Sequence, residues 1–178
     1  MEALKDRIPD YARDLRLNIS SVLTPQGAPG LGESQLWMVA FASAIASRNA
    51  DLARHIEAEA AARLAPAEIE AARSAAAIMG MNNVYYRFLH LVEDEEYAKL
   101  PARLRMNVIG SPGIPKADFE LVSLAVSAVN GCGKCVTAHE RVLRQHDVSR
   151  EAVQSAVRIA SVIHAVAGVL DYEATRAA

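Results

Sequence analysis

The chain has 178 residues, a formal net charge of −2 and a pI near 6.2. Hydrophobic residues make up 52% and charged residues 22%, which excludes a disordered or collagen-like chain. Near-neutral charge without a basic tract argues against nucleic acid as the main partner. Aromatics are only 5% and alanine is abundant, and alanine loses no side-chain entropy in a helix. An all-α chain is expected, folded as one domain over 1–178.

In chain order, residues 2–23 carry spaced apolar positions (Leu4, Ile8, Tyr11, Leu15) and read as N-terminal helices, with Pro9 suited to a first turn. Residues 24–32 are a loop by composition. Glu33 to Ser47 is apolar nearly all round, so it reads as a buried helix. Ala50 to Leu64 is a helix with a charged face. A third helix starts at Pro66 and is expected to end near Met79. Gly80 and Asn82-Asn83 mark a break before a further helix from Tyr85 to Glu95. Residues 101–117 form a long connection rich in turn signals. Asp118 to Asn130 is again apolar, and its length and alanines favour helix over strand. Gly131 ends it. Helices follow over Cys132–Gln145 and Arg150–His164, then a short final one.

The two halves look alike, repeat 1 over about 33–95 and repeat 2 over about 117–178. Ala53-Arg54-His55-Ile56-Glu57 falls where Ala138-His139-Glu140-Arg141-Val142 falls. Two diverged helical repeats are expected, with cysteines only in the second. The charged N-terminus is not a signal peptide, and no run of 18 uncharged apolar residues is present, so neither export nor a membrane partner is expected. A cytoplasmic protein is expected, where a lone close cysteine pair suggests redox or metal chemistry.

That pair stands in Gly131-Cys132-Gly133-Lys134-Cys135-Val136-Thr137-Ala138-His139. Gly131 puts Cys132 at a helix N-terminus, where backbone donors and the helix dipole stabilise a thiolate. Cys132 and Cys135 are i and i+3, and Cys135 and His139 are i and i+4, so all three share a face. Lys134 adds positive charge beside the thiolates. Glu120 lies among Phe119, Leu121, Val122 and Leu124, where a carboxylate needs a partner. A hairpin closing at Gly131 would bring Glu120 to His139. Glu120 would then orient and charge His139, and His139 would take the proton of Cys135.

Other readings attach to the same residues. Cys132, Cys135, His139 and Glu120 make a possible zinc ligand set, although structural sites more often use a second Cys-x-x-Cys or a His pair. The alternative readings count the cysteines as inert core and Glu120 as an exposed helix residue. His55, His90, His146 and His164 have no matching partners and read as structural or surface groups. The methionines and Trp37 read as core, and Met79-Gly80-Met81-Asn82-Asn83 as a helix break or a pocket lining.

Glu120, Cys132-x-x-Cys135 and His139 in an all-helical, duplicated chain resemble the AhpD alkyl hydroperoxide reductases, the peroxidase branch of the carboxymuconolactone decarboxylase-like superfamily. Residues 76–84, 104–109 and 112–117 are similar too, so the resemblance covers essentially the whole chain. It implies a multihelical fold and a homotrimer with exchanged helices. It implies antioxidant reduction of alkyl hydroperoxides and hydrogen peroxide. Electrons would come from a dihydrolipoyl group (dihydrolipoamide) on a dihydrolipoamide acyltransferase, kept reduced by lipoamide dehydrogenase. No bound cofactor and no metal are implied. The resemblance also implies a role as reductant of the peroxiredoxin AhpC, through a mixed disulfide at Cys135.

By that pattern Cys135 becomes a sulfenic acid. Cys132 is proton donor and then resolving thiol, closing a Cys132–Cys135 disulfide, and Glu120 and His139 form the proton relay. A buried Cys135 and a more exposed Cys132 are expected. Better-known members carry a histidine where this chain has Lys134. A lysine keeps the charge that stabilises a thiolate but is not a neutral base near pH 7 unless its pKa is lowered. The alternatives are a dithiol–disulfide oxidoreductase or redox sensor with little peroxidase activity, and a zinc-binding interaction module. Lactone decarboxylation is disfavoured, because it has no use for the cysteine pair.

Overall fold

The computed structural model describes residues 1–176. Among them every regular element is helical: α1 Glu2–Lys5, a 3-10 turn Asp10–Ala12, α2 Arg13–Val22, α3 Glu33–Ala46, α4 Ala50–Ala61, α5 Pro66–Leu91, α6 Glu95–Lys99, α7 Asn107–Gly110, α8 Lys116–Val129, α9 Gly133–Gln145 and α10 Arg150–Arg176.

The two helices that are apolar nearly all round form the centre. Such helices have no polar face to offer water and must be covered on every side. α3 and α8 pack on each other, and α5 and α10 each pack against both. α4 lies on α3, α9 lies on α8 and α5, and α2 covers α10. Phe41, Phe119, Leu121, Leu124, Ile159 and Ile163 are among the fully buried side chains that fill the space between them. α10 is, among the described residues, long and apolar enough to cross a bilayer by length and composition. Its apolar stripe from Ala152 to Leu170 is buried in the protein, and its packing partners are α2, α3 and α8.

Two expectations are corrected. α5 runs unbroken through Gly80, Asn82 and Asn83. A glycine in a helix interior costs about 1 kcal/mol relative to alanine, which tertiary bonds readily offset. Here buried Asn83 donates from Nδ2 to Ser127 Oγ at 2.9 Å and accepts from Asn130 Nδ2 at 2.9 Å. Likewise α10 continues past His164 to Arg176 as one helix, because its apolar stripe keeps its period to Leu170.

The helix triplets α3–α4–α5 and α8–α9–α10 follow the same order, with α3 and α8 both 14 residues long. Their helix caps set a register between them. Asn49 caps α4 and Cys132 caps α9. Counting from the caps puts His55, not Ala53, opposite Ala138. Alanine-rich segments tolerate such a two-residue slip in a comparison by sequence.

Candidate active site

The turn between α8 and α9 builds the site. Asn130 ends α8, and Gly131 adopts φ +68°, a conformation that glycine enters without a side-chain penalty. The Cys132 N–H bonds Ser127 O at 3.0 Å and the Gly131 N–H bonds Ala128 O at 3.1 Å, the paired bonds of a Schellman ending. This delivers Cys132 directly to the N-cap of α9, where its Sγ accepts the Cys135 N–H at 3.3 Å. α5 holds the turn from below. Besides the Asn83 bonds, Arg87 Nη1 donates to Asn130 O at 2.6 Å.

Cys132 and Cys135 are joined in a disulfide with Cα atoms 5.3 Å apart. The exposure order is the reverse of the expectation. Cys132 is 0% exposed and Cys135 is 6% exposed. An N-cap side chain folds back over its own helix end, whereas a residue one turn later points sideways. Cys135 therefore opens onto a cavity of about 250 Å³, which it lines with Ala138, His139, Lys134, Met79, Asn82, Tyr86, Met106 and Ile109.

Glu120 and His139 are brought together as the hairpin predicts. His139 Nδ1 lies 2.6 Å from Glu120 Oε2. Glu120 is buried, and its second oxygen accepts from Lys116 Nζ at 3.1 Å. Burial pushes the Glu120 carboxyl up. The hydrogen bond and charge of His139, and after them those of Lys116, outweigh it and hold Glu120 below the usual carboxylate range. An ionised carboxylate only accepts, so the His139 Nδ1 facing it carries the proton. His139 Nε2 lies 3.3 Å from Met79 Sδ, at the wall of the cavity. Lys134 lines the same cavity and is exposed.

Sequence reasoning missed several residues here. Lys116 lies one helical turn before Glu120, a spacing that signals an ion pair. Met79 and Asn82 belong to the stretch that reads as a helix break or a pocket lining; they line the cavity from unbroken α5, so the pocket reading holds and the break does not. Tyr86, Met106 and Ile109 meet only because the 101–117 connection folds over α5, where Tyr86 Oη reaches Met106 Sδ at 4.0 Å. Of the other histidines, His90, His146 and His164 are exposed and His55 is half-buried. Among the described residues no three His, Cys, Asp or Glu side chains converge to hold a metal ion.

The Carboxymuconolactone decarboxylase family profile matches residues 95–178. The chain is 60% identical to "Alkyl hydroperoxide reductase AhpD" of Rhodospirillum centenum over 98% of its own length and 92% of the relative's. This chain belongs to the AhpD family. The AhpD of Rhodopseudomonas palustris is 57% identical over 94% of this chain and 91% of its own. The AhpD of Streptomyces griseus is 55% identical over 99% and 98%. The AhpD resemblance expected from the cysteine motif is thus matched along nearly the whole chain.

Proposed function

We propose that this chain is an antioxidant thiol peroxidase that reduces alkyl hydroperoxides and hydrogen peroxide through the Cys132–Cys135 pair. The carrying observation is that Cys135, half of a redox pair, shares one cavity with a histidine bonded to a buried, ionised glutamate. The relatives' shared name, alkyl hydroperoxide reductase, supports the reading.

In the reduced protein the Cys135 thiol gives its proton to His139, whose Nδ1–H stays on Glu120. The thiolate lies in the first turn of α9, with the helix dipole and Lys134 favouring its charge. It attacks the terminal peroxide oxygen, the O–O bond breaks, and the leaving alkoxide takes the proton of the Cys132 thiol. Cys132 then attacks the sulfenic sulfur. The S–S bond forms, hydroxide leaves, and it takes the proton held by His139. One hydroperoxide has become an alcohol and water, and two thiols a disulfide.

The disulfide is re-reduced by a dithiol through a mixed disulfide, which regenerates both thiols. The dithiol of this proposal is the dihydrolipoyl group of a dihydrolipoamide acyltransferase, recycled by lipoamide dehydrogenase and NADH. Cys135, as the sulfur with access, is the point of attack and of a mixed disulfide with AhpC. We also propose a cytoplasmic homotrimer. Val84, Phe88, Leu91, Tyr97 and Leu100 are exposed along α5 and α6 and supply an apolar surface for it, which sedimentation equilibrium tests.

The test is hydroperoxide-dependent NADH oxidation with lipoamide, lipoamide dehydrogenase and this protein, beside Cys135→Ser. Turnover that vanishes in the variant supports the reading. No turnover by fully reduced protein overturns it and leaves electron transfer to AhpC as the better account.

A further inference from the structure

Peroxide reduction asks two things of the cavity beside Cys135. One group must take the thiol proton, and another must meet the oxygen that leaves. His139 serves the first. The proton for the leaving oxygen comes from Cys132, yet Cys132 is 0% exposed and does not line the cavity. Negative charge develops on that oxygen as the O–O bond breaks. A donor already facing the cavity stabilises it at that moment.

The lining side chains leave one such donor. His139 Nδ1–H is held by Glu120, and its Nε2 stands 3.3 Å from Met79 Sδ. Lys134 is exposed and also borders two grooves outside the cavity, so it stands at the mouth. Asn82 is 4% exposed and closed in by its surroundings. Tyr86 lines the cavity and is half-buried. Its hydroxyl has one hydrogen-bond partner among the described residues, Met106 Sδ at 4.0 Å. A thioether is a weak acceptor, and at that distance it holds the O–H loosely. Such an O–H turns to a stronger acceptor at little cost.

We propose that the Tyr86 hydroxyl donates a hydrogen bond to the departing oxygen of the hydroperoxide as the O–O bond breaks. The proposal rests on the peroxidase reading and adds a catalytic residue to it. Met79 and Tyr86 are i and i+7 on α5, so they share a face two turns apart, about 10 Å along the helix axis. Met79 borders the base, His139, and Tyr86 stands at the other end. Displacement at oxygen puts the thiolate and the leaving oxygen on opposite sides of the oxygen attacked. A base and a donor at separate ends of one cavity suit that line.

Tyr86 leaves the balance of the reaction unchanged. Cys135 Sγ bonds the terminal oxygen, the electron pair of the O–O bond passes to the leaving oxygen, and that oxygen receives the proton of Cys132. Tyr86 keeps its own proton throughout. It lowers the cost of the charge before the Cys132 proton arrives.

The experiment varies the leaving group. Tyr86→Phe removes one oxygen and keeps the ring with its edge-on packing against Tyr85, centroids 5.3 Å apart. Stopped flow follows thiol oxidation in reduced wild type and variant by cumene hydroperoxide, hydrogen peroxide and peracetic acid. The first two release a strongly basic alkoxide or hydroxide, whereas peracetic acid releases acetate, which needs little help. Loss of a hydrogen bond to a charged oxygen predicts a roughly 10- to 100-fold slower reaction of Tyr86→Phe with the first two. With peracetic acid the loss stays within about threefold, the size of a weak neutral bond. Reduction of the disulfide by dithiothreitol releases no alkoxide and is unaffected.

An equal fall with all three oxidants, or no fall with cumene hydroperoxide, overturns the proposal. Met106→Leu removes the hydroxyl's resting partner and should show no dependence on the leaving group. If it reproduces the Tyr86→Phe pattern, the hydroxyl acts by holding the 101–117 connection and the proposal falls. Wild-type thiols that no hydroperoxide oxidises sink the peroxidase reading itself, and the proposal with it.

Discussion

The α3–α4 turn and the α8–α9 turn have nearly the same backbone and opposite occupations. The first passes from Ser47 through Arg48 at φ +65° to Asn49 at the N-cap. The second passes from Asn130 through Gly131 at φ +68° to Cys132 at the N-cap. In the first, Asn49 Oδ1 accepts the Leu52 N–H at 2.7 Å, and Nδ2 donates to Asp171 Oδ1 at 2.6 Å. In the second, Cys132 Sγ accepts the N–H of Cys135.

Counting outward from the two caps, Cys135 stands where Leu52 stands, His139 where Ile56 stands and Glu120 where Trp37 stands. Lys134 stands where Asp51 stands. The scaffold supplies a capped turn over a buried helix in both halves. One half fills it with apolar side chains and the other with a relay. On the proposed peroxidase reading, the chemistry resides in four or five side chains rather than in the fold.

The largest expected effect breaks this pairing at its centre. Cys135→Ser abolishes peroxide turnover while circular dichroism stays native. Leu52→Ala, at the matching position, does the opposite. It removes a fully buried side chain and lowers unfolding free energy by about 2–5 kcal/mol in urea titration, with the Cys135 site intact in the folded fraction.

The caps come next. Asn49→Ala removes a side-chain bond to a helix N-terminus and should cost about 1 kcal/mol by the same titration. Cys132→Ala leaves the sulfenic acid of Cys135 unresolved, so a dimedone adduct accumulates at Cys135 after one peroxide equivalent. Mass spectrometry reads that outcome directly.

The relay gives a pH signature that Trp37 has no means to give. Glu120 is held below an ordinary glutamate's 4.5, so its contribution to stability is full above that value. It is lost as pH falls through the lower folded value. Glu120→Gln should flatten the decline in stability below pH 4.5 and slow turnover at neutral pH. An unchanged acid limb in thermal melts refutes the pairing. The smallest effect is expected of Lys134→Ala, a severalfold slower reaction of Cys135 with peroxide, on the order of one exposed charge's influence on a thiolate. Stopped-flow loss of thiol measures it.

Much of this was legible in the residues. The all-round apolar segments that became α3 and α8 declared themselves central, because no other placement covers them. Gly131 declared the turn, and the i, i+3, i+7 spacing of Cys132, Cys135 and His139 declared the shared face. Glu120 was legible because a carboxylate among four apolar neighbours demands a partner. What stayed hidden depends on long-range contact. Asn83 and Arg87 look like helix breakers or surface groups until Ser127 and Asn130 are seen to meet them. The cavity wall joins α5 to a connection with no period of its own. The exposure order of the cysteines turns on which way an N-cap side chain folds, and composition does not encode that.

The 5.3 Å between the Cα atoms of Cys132 and Cys135 lies within the span that a disulfide accepts. It is also set by the first turn of α9, whose backbone is held independently by the Schellman bonds and by Arg87. The sulfurs can therefore bond and part while the peptide chain around them keeps one shape. On the proposed peroxidase reading, each two-electron step is expected to be confined to side-chain torsions, with the first turn of α9 as a rigid electron store.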